Sequence, residues 1–208
     1  MIAILTGDMI ASRKQFDTNL WLLPLKAWLA LHFGEQGIAW DIYRGDSFQL
    51  KLSRPAEALK TAIQIKSMLK QTKGIDVRIA IGIGNENYTS QKIMESQGSA
   101  FIRSGELVDK LKKRKQSMAI STGNENLDDE VNLIIRLLLL TLDHWSPAEA
   151  SLASLIFAKT QPIHVYAQTL GISISTTSER KKRAHLQEII DVEQFIRSKI
   201  ESYEQGMG

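Results

Sequence analysis

Two aspartates in this chain directly follow a glycine, Asp8 in Thr6-Gly7-Asp8 and Asp46 in Arg44-Gly45-Asp46-Ser47. Carboxylates held close together repel when ionised. The usual remedies are a raised pKa or a shared cation such as Mg²⁺ or Mn²⁺, which takes oxygen ligands along with substrate phosphates. The sequence has no cysteine and four histidines, so thiolate nucleophiles, thiolate zinc sites and disulfides are excluded, and a metal here would be a hard one held by oxygen. His164 and His185 have no acid at ligand spacing and read as helix-surface or packing residues; His144 and Tyr88 take no chemical role either. The other reactive feature is cationic: Arg180-Lys181-Lys182-Arg183 follows the short polar run Ser175-Thr176-Thr177-Ser178, a pairing of groups suited to base edges and to phosphates.

The elements that must position these residues follow from periodicity. Ile2 to Thr6 is an apolar run of strand length closed by Gly7-Asp8, and the apolar residues from Phe16 to Phe33 recur at three and four, a helix that runs through Pro24 to Gly34. Ile38 to Tyr43 and Ser47 to Leu52 read as a hairpin with Asp46 at its tip. A helix opens after Ser53-Arg54-Pro55 with a stripe of Ala58, Ala62, Ile65 and Leu69, and stops at Lys73-Gly74. Val77 to Ile83 is a strand, Asn85 to Gln97 a polar and mobile loop, Phe101 to Leu111 a helix, and Ser117 to Ser121 a last strand. The fold class is α+β: a ferredoxin-like βαββαβ core with one added helix and strand. In this topology the first strand lies beside the hairpin, so Asp8 at its end meets Asp46 at the turn.

The polar segment Thr122 to Glu130 reads as a linker, dividing the chain into a domain of residues 1–122 and an all-α domain of residues 123–208. In the second domain, Val131 to Asp143, Pro147 to Ala158, Ile163 to Leu170 and Ser175 to Tyr203 read as helices. The leucine-rich stretch Leu133 to Leu142 is suited to a homodimer interface.

A length of 208 residues with 43% hydrophobic and 24% charged residues excludes disordered and fibrous classes. The longest apolar stretch is about half the roughly 20 residues a bilayer demands. With no basic segment ahead of the first strand, the expected location is the cytoplasm, away from membranes. The net charge of +3 is uneven: 18 Lys and Arg against 11 Asp and Glu through Thr122, which is +7, then 8 against 12, which is −4. The basic half suits an anionic ligand such as a nucleotide.

Four segments in order carry a resemblance: Ile4-Leu5-Thr6-Gly7-Asp8-Met9-Ile10-Ala11-Ser12, Tyr43-Arg44-Gly45-Asp46-Ser47-Phe48, Val77 to Gly84, and Gly98-Ser99-Ala100-Phe101. Residues 2–121 resemble the catalytic domain of class III nucleotidyl cyclases, and nearly the whole chain resembles the SatD-like family of bacterial proteins. The cyclase resemblance implies that Asp8 and Asp46 bind metal with the backbone carbonyl of Met9. It also implies that Ile10, Ala11, Ser12 and Arg13 face a triphosphate, with Arg44 beside them. It departs at three positions. Ile42 stands for the base-recognising lysine, and Ile102 and Glu106 for the transition-state asparagine and arginine, where an acid would repel the charge developing on a transferred phosphate. Metal-dependent nucleotide binding is therefore expected and cyclase activity is not.

The pattern Ala167-x-x-Leu170-Gly171-Ile172-Ser173 resembles the helix-turn-helix of sigma-factor region four and of many bacterial regulators. The alanine allows close helix crossing, the glycine permits the turn, and the following helix would enter a major groove. Ser175, Thr176, Thr177, Ser178 and Arg180 would then face bases or phosphates of double-stranded DNA, with Lys181, Lys182 and Arg183 on the backbone. Three function classes fit: a ligand-gated DNA-binding regulator, which the sequence favours; a divalent-metal-dependent nucleotidyl enzyme; and a non-catalytic protein-interaction module.

Overall fold

The computed structural model describes residues 1–10, 18–43 and 45–206. Within them the protein is a mixed α+β structure of five strands and eight α-helices. β1 (Ile2–Ile10) leads to α1 (Asn19–Phe33), the hairpin of β2 (Trp40–Tyr43) and β3 (Ser47–Leu52), α2 (Ala58–Lys70), β4 (Asp76–Gly84), α3 (Ser99–Arg114) and β5 (Met118–Ser121). The sheet order is β2-β3-β1-β4-β5, antiparallel except for the parallel pair β4 and β5. Then come α4 (Glu125–Leu142), α5 (Pro147–Ala158), α6 (Ile163–Leu170), α7 (Ile174–Arg183) and α8 (Leu186–Gln205). Among the described residues no helix is long and apolar enough to cross a membrane.

Side chains alternate across the sheet as the pleat requires. Ala3, Leu5 and Met9 of β1 share a face with Leu52, Leu50 and Phe48 of β3 and with the odd-numbered residues of β4 from Val77 to Ile83. This face is packed under α1 and α2. The other face carries Thr6, Asp8, Arg78 and Ala80 and lies against α3, where Thr6 Oγ1 donates to Ser104 Oγ at 3.0 Å. The first face belongs to an apolar core that continues past residue 122 to Val131, Ile135, Trp145, Ile189 and Ile200, so both halves of the chain share it.

Four sequence expectations are corrected. β1 does not stop at Gly7: a methyl group there would stand 2.2 Å from the Phe48 ring, so the glycine makes room for a cross-strand aromatic and the strand runs on to Ile10. Asn85 to Gln97 is tied down, with Tyr88 bridged to Gln97, the Ile93 amide donating to the Gly37 carbonyl, and Ile93 buried. The acids read as a linker belong to the first turns of α4. Asn124 caps it by accepting from Leu127 N–H, and Asp128 accepts from the amide and hydroxyl of Thr122. The long helix expected from Ser175 to Tyr203 is two helices, broken at Ala184-His185, where His185 takes a left-handed backbone with φ of 50°.

One ionic cluster fastens the second half to the sheet. Lys66 of α2 is fully buried, with its ammonium 2.7 Å from Asp76 at the head of β4 and 2.8 Å from Asp143 at the end of α4. Lys70, one turn on, donates to Asp76 Oδ2 at 3.1 Å and to the Asp143 carbonyl at 2.8 Å. Ser117 Oγ, just before β5, donates to Asp143 Oδ1 at 2.6 Å. Removing one partner of a buried pair leaves the other desolvated and unpaired. Lys66→Ala is therefore expected to cost about 3 kcal/mol in urea unfolding, the lower part of the usual range because both aspartates keep some contact with water. A loss under about 1 kcal/mol, the worth of an exposed pair, would show that the cluster fastens nothing.

Candidate functional site

Asp8 lies inside β1, in register with Ser47 of β3 on one side and Arg78 of β4 on the other. Its carboxylate turns to Arg78, whose Nη1 donates to both oxygens at 3.1 and 2.9 Å, while Nε donates to the Gln116 carbonyl at 3.2 Å. Lys112 of α3 approaches the same carboxylate at 3.8 Å. Asp46 ends the hairpin turn one residue before Ser47. Its carbonyl accepts from Met9 N–H at 2.9 Å, and its carboxylate accepts from Ser47 Oγ at 3.2 Å. Asp46 thus lies in the turn at the end of the strand beside β1, and the repulsion expected between the two aspartates is already answered at Asp8 by two cations.

That arrangement decides the fit of a divalent ion. Both oxygens of Asp8 are engaged by Arg78, and among the described residues no three histidine, aspartate or glutamate side chains converge as metal ligands would. With Asp8 turned to Arg78, a divalent ion at this carboxylate would have to displace that guanidinium. Met9 is a buried core residue, and Ile10 closes β1 opposite Asp76. Ala11, Ser12, Arg13 and Arg44 lie outside the described residues. Ile102 and Glu106 stand on the exposed side of α3, and Arg103 donates to the Ile83 carbonyl against Gly123.

In the helical half, Gly171 turns the chain with φ of 64°. Ser173 Oγ accepts from Thr176 N–H at 3.0 Å, which starts α7 against α5 and α6. Of the residues expected to meet DNA, Ser175 and Thr176 are exposed and Ser178 is half-buried. Thr177 is fully buried and donates to the Ser173 carbonyl, so it packs the helix pair and does not reach a base edge. Arg180 turns inward and donates to the Ala148 carbonyl at 3.3 Å. Lys181 donates to Gln187, Lys182 sits 3.7 Å from Glu179, and Arg183 sits 3.7 Å from Glu149. The outward cations of α7 are thus reduced to Lys182 and Arg183, each with an acid nearby.

The sequence reading missed, besides the Lys66 cluster, an ionic group on α8. Arg197 of α8 bridges Glu193, one turn before it, at 2.7 Å and Glu57, just ahead of α2. The i, i+4 spacing of Glu193 and Arg197 was readable as a helix-face pair, but Glu57 is 140 residues away. Burial pushes the Glu193 carboxyl above its ordinary 4.5, against the hydrogen bond and charge of Arg197, which pull it down.

Two outcomes are expected. An acid with its folded pKa raised binds more protons folded than unfolded between the two values, so its contribution to stability falls as pH rises through the window above 4.5. The stability of the wild type relative to Glu193→Gln, by urea unfolding at each pH, should fall across that window; a rising difference would contradict the shift. For the metal, about 10 mM Mg²⁺ or Mn²⁺ should shift the thermal midpoint of the wild type no more than that of Asp8→Asn, and that of Arg78→Ala more than either. A larger shift in the wild type than in Asp8→Asn would reinstate the two-aspartate site. Compared with family models, curated proteins and solved structures, the chain gives no match.

Proposed function

We propose that the protein is a DNA-binding regulator in which a ferredoxin-like, cyclase-like unit is joined to a helix-turn-helix of the kind the pattern Ala167 to Ser173 resembles. The strand order β4-β1-β3-β2 with helices after β1 and β3 supports the ferredoxin-like reading of the first unit. The turn at Gly171 and the cap at Ser173 support the second.

The observation that carries the proposal joins the two basic segments of the chain. Lys110, Lys112, Lys113, Arg114 and Lys115 stand exposed at the end of α3. Two residues beyond Lys115, Ser117 is bonded to Asp143. Two residues beyond Asp143, Trp145 donates its indole N–H to the carbonyl of Ala184 at 3.1 Å, next to Arg183. The reach of the intervening chain therefore keeps the α3 cluster and the end of α7 within about 35 Å, roughly one duplex turn. Phosphate contacts from α3 supply the attraction that the acidic half lacks by itself, and leave Ser175 and Thr176 of α7 to the base edges.

The test is a salt series of anisotropy titrations of the full chain on a fluorescent duplex of about 30 base pairs. Each lost phosphate contact removes about 0.9 from the slope of log affinity against log salt. Lys182→Ala/Arg183→Ala should lower the slope by about 1 to 2, and Lys113→Ala/Arg114→Ala/Lys115→Ala by about 2 to 3. Thr176→Ala should change which sequence is preferred. If the wild type binds no duplex tighter than about 10⁻⁴ M at low salt, the helix-turn-helix is an interaction module and the proposal fails.

A further inference from the structure

Behind α7 the fold leaves an open cleft of ≈680 Å³, walled by α2, the connection between α5 and α6, and α8. Its apolar lining comes from Ile156, Phe157, Ile163 and Ile190. Tyr166 stiffens one wall, since its hydroxyl accepts from Gln161 N–H at 2.7 Å and donates to the Lys159 carbonyl at 2.9 Å. A second hollow of ≈410 Å³ shares Ile163, Lys181 and Gln187 with the first and extends it along α7 to Lys182.

The charged lining is uneven. In the first hollow four cations, Lys60, Lys159, Lys181 and Arg197, face one acid, Glu193, and the second adds Lys182 and Glu188. Arg197 is already committed to Glu193 and Glu57, which leaves three ammonium groups in the first hollow. Lys60 makes no hydrogen bond or close ion pair among the described residues, although its charge reaches Glu193, and Lys181 has only the neutral carboxamide of Gln187. The side-chain amides of Gln161 and Gln194, which also line the cleft, are likewise without partners among the described residues. Polar groups with no internal partner, gathered over an apolar surface in a space of this size, are the usual make-up of a small-molecule site.

We infer that this cleft binds an organic anion with an apolar body, its charged group held between Lys60 of α2 and Lys181 of α7 and its body on Ile163 and Ile190. A bare inorganic anion would leave the apolar lining wet, and a neutral apolar molecule would bury ammonium groups without a counter-charge. The site draws on both halves of the chain and does not depend on the DNA-binding proposal.

The probe is 1-anilinonaphthalene-8-sulfonate, an aromatic body with one sulfonate, followed by its fluorescence on the full chain and compared with its uncharged analogue N-phenyl-1-naphthylamine. Saturable one-to-one binding is expected, weakened about tenfold or more in Lys60→Glu/Lys181→Glu. The milder Lys60→Gln/Lys181→Gln should weaken it several-fold, with thermal midpoint and far-ultraviolet circular dichroism as in the wild type. The uncharged analogue should change less than about twofold in either variant. Leu31→Glu, which alters the exposed apolar side of α1 (Leu31 is 81% exposed), should leave sulfonate binding unchanged. Binding that does not saturate, that survives both lysine pairs, or that is lost in Leu31→Glu would overturn the site.

Discussion

The buried ammonium of Lys66 is the constraint on which the arrangement of the molecule rests. A charge taken out of water is tolerated only where counter-charges and hydrogen bonds replace the lost hydration. Here Asp76 and Asp143 supply the charge, while Lys70, Ser117 and the Val77 amide satisfy the remaining oxygens. The partners come from α2, the head of β4, the residue ahead of β5 and the end of α4, so the cluster is satisfied in one arrangement of these elements. An apolar cluster of equal volume could hold these elements together but would tolerate sliding. Directional bonds to Asp143 fix where α4 ends, and Trp145, two residues on, then fixes the end of α7 through Ala184.

Much of this fold was legible in local pattern. The bounds of α5 and α6 follow from proline, a capping serine and glycine, signals that act within a turn of the residue carrying them. What escaped was set by partners far along the chain. Gly7 reads as a turn until Phe48 is known to lie over it, and Asp8 reads as a free ligand until Arg78, 70 residues away, is placed beside it. Lys66 was hidden for the same reason. It falls between apolar positions Ile65 and Leu69 on α2, where a lysine ordinarily marks the solvent side, and neither of its acids is near enough in sequence to say otherwise. The break at His185 carried no glycine or proline. Its left-handed backbone is one that histidine adopts more readily than most residues, and it lets α8 fold back toward α2.

That fold-back explains the character of the second half. A continuous helix from Ser175 would have projected into solvent and left its apolar residues uncovered. Broken at His185, α8 instead lays Ile189, Ile196 and Ile200 into the shared core and brings Arg197 to Glu57. The cost is a buried carboxylate at Glu193, offset by the same arginine. It also leaves a cleft over Lys60 of α2, between α8 and the connection between α5 and α6.

Helix α7 consequently has two environments. Its outward side offers Ser175, Thr176 and Lys182, while Lys181 on its inner side is turned to the cleft. Its C-terminal end is held by the indole of Trp145, and its first turn is closed on itself by the cap at Ser173. An anion of the proposed kind, held between Lys60 and Lys181, would respond to the separation of α7 from α2. An anion coupled to DNA in this way need not touch the DNA. It has only to bind one separation of α2 and α7 more tightly than another, since a ligand with equal affinity for two arrangements shifts neither. The ammonium of Lys60 is suited to that task because no described residue bonds to it directly: whatever free energy it would gain from the proposed anion depends on where α7 has placed Lys181.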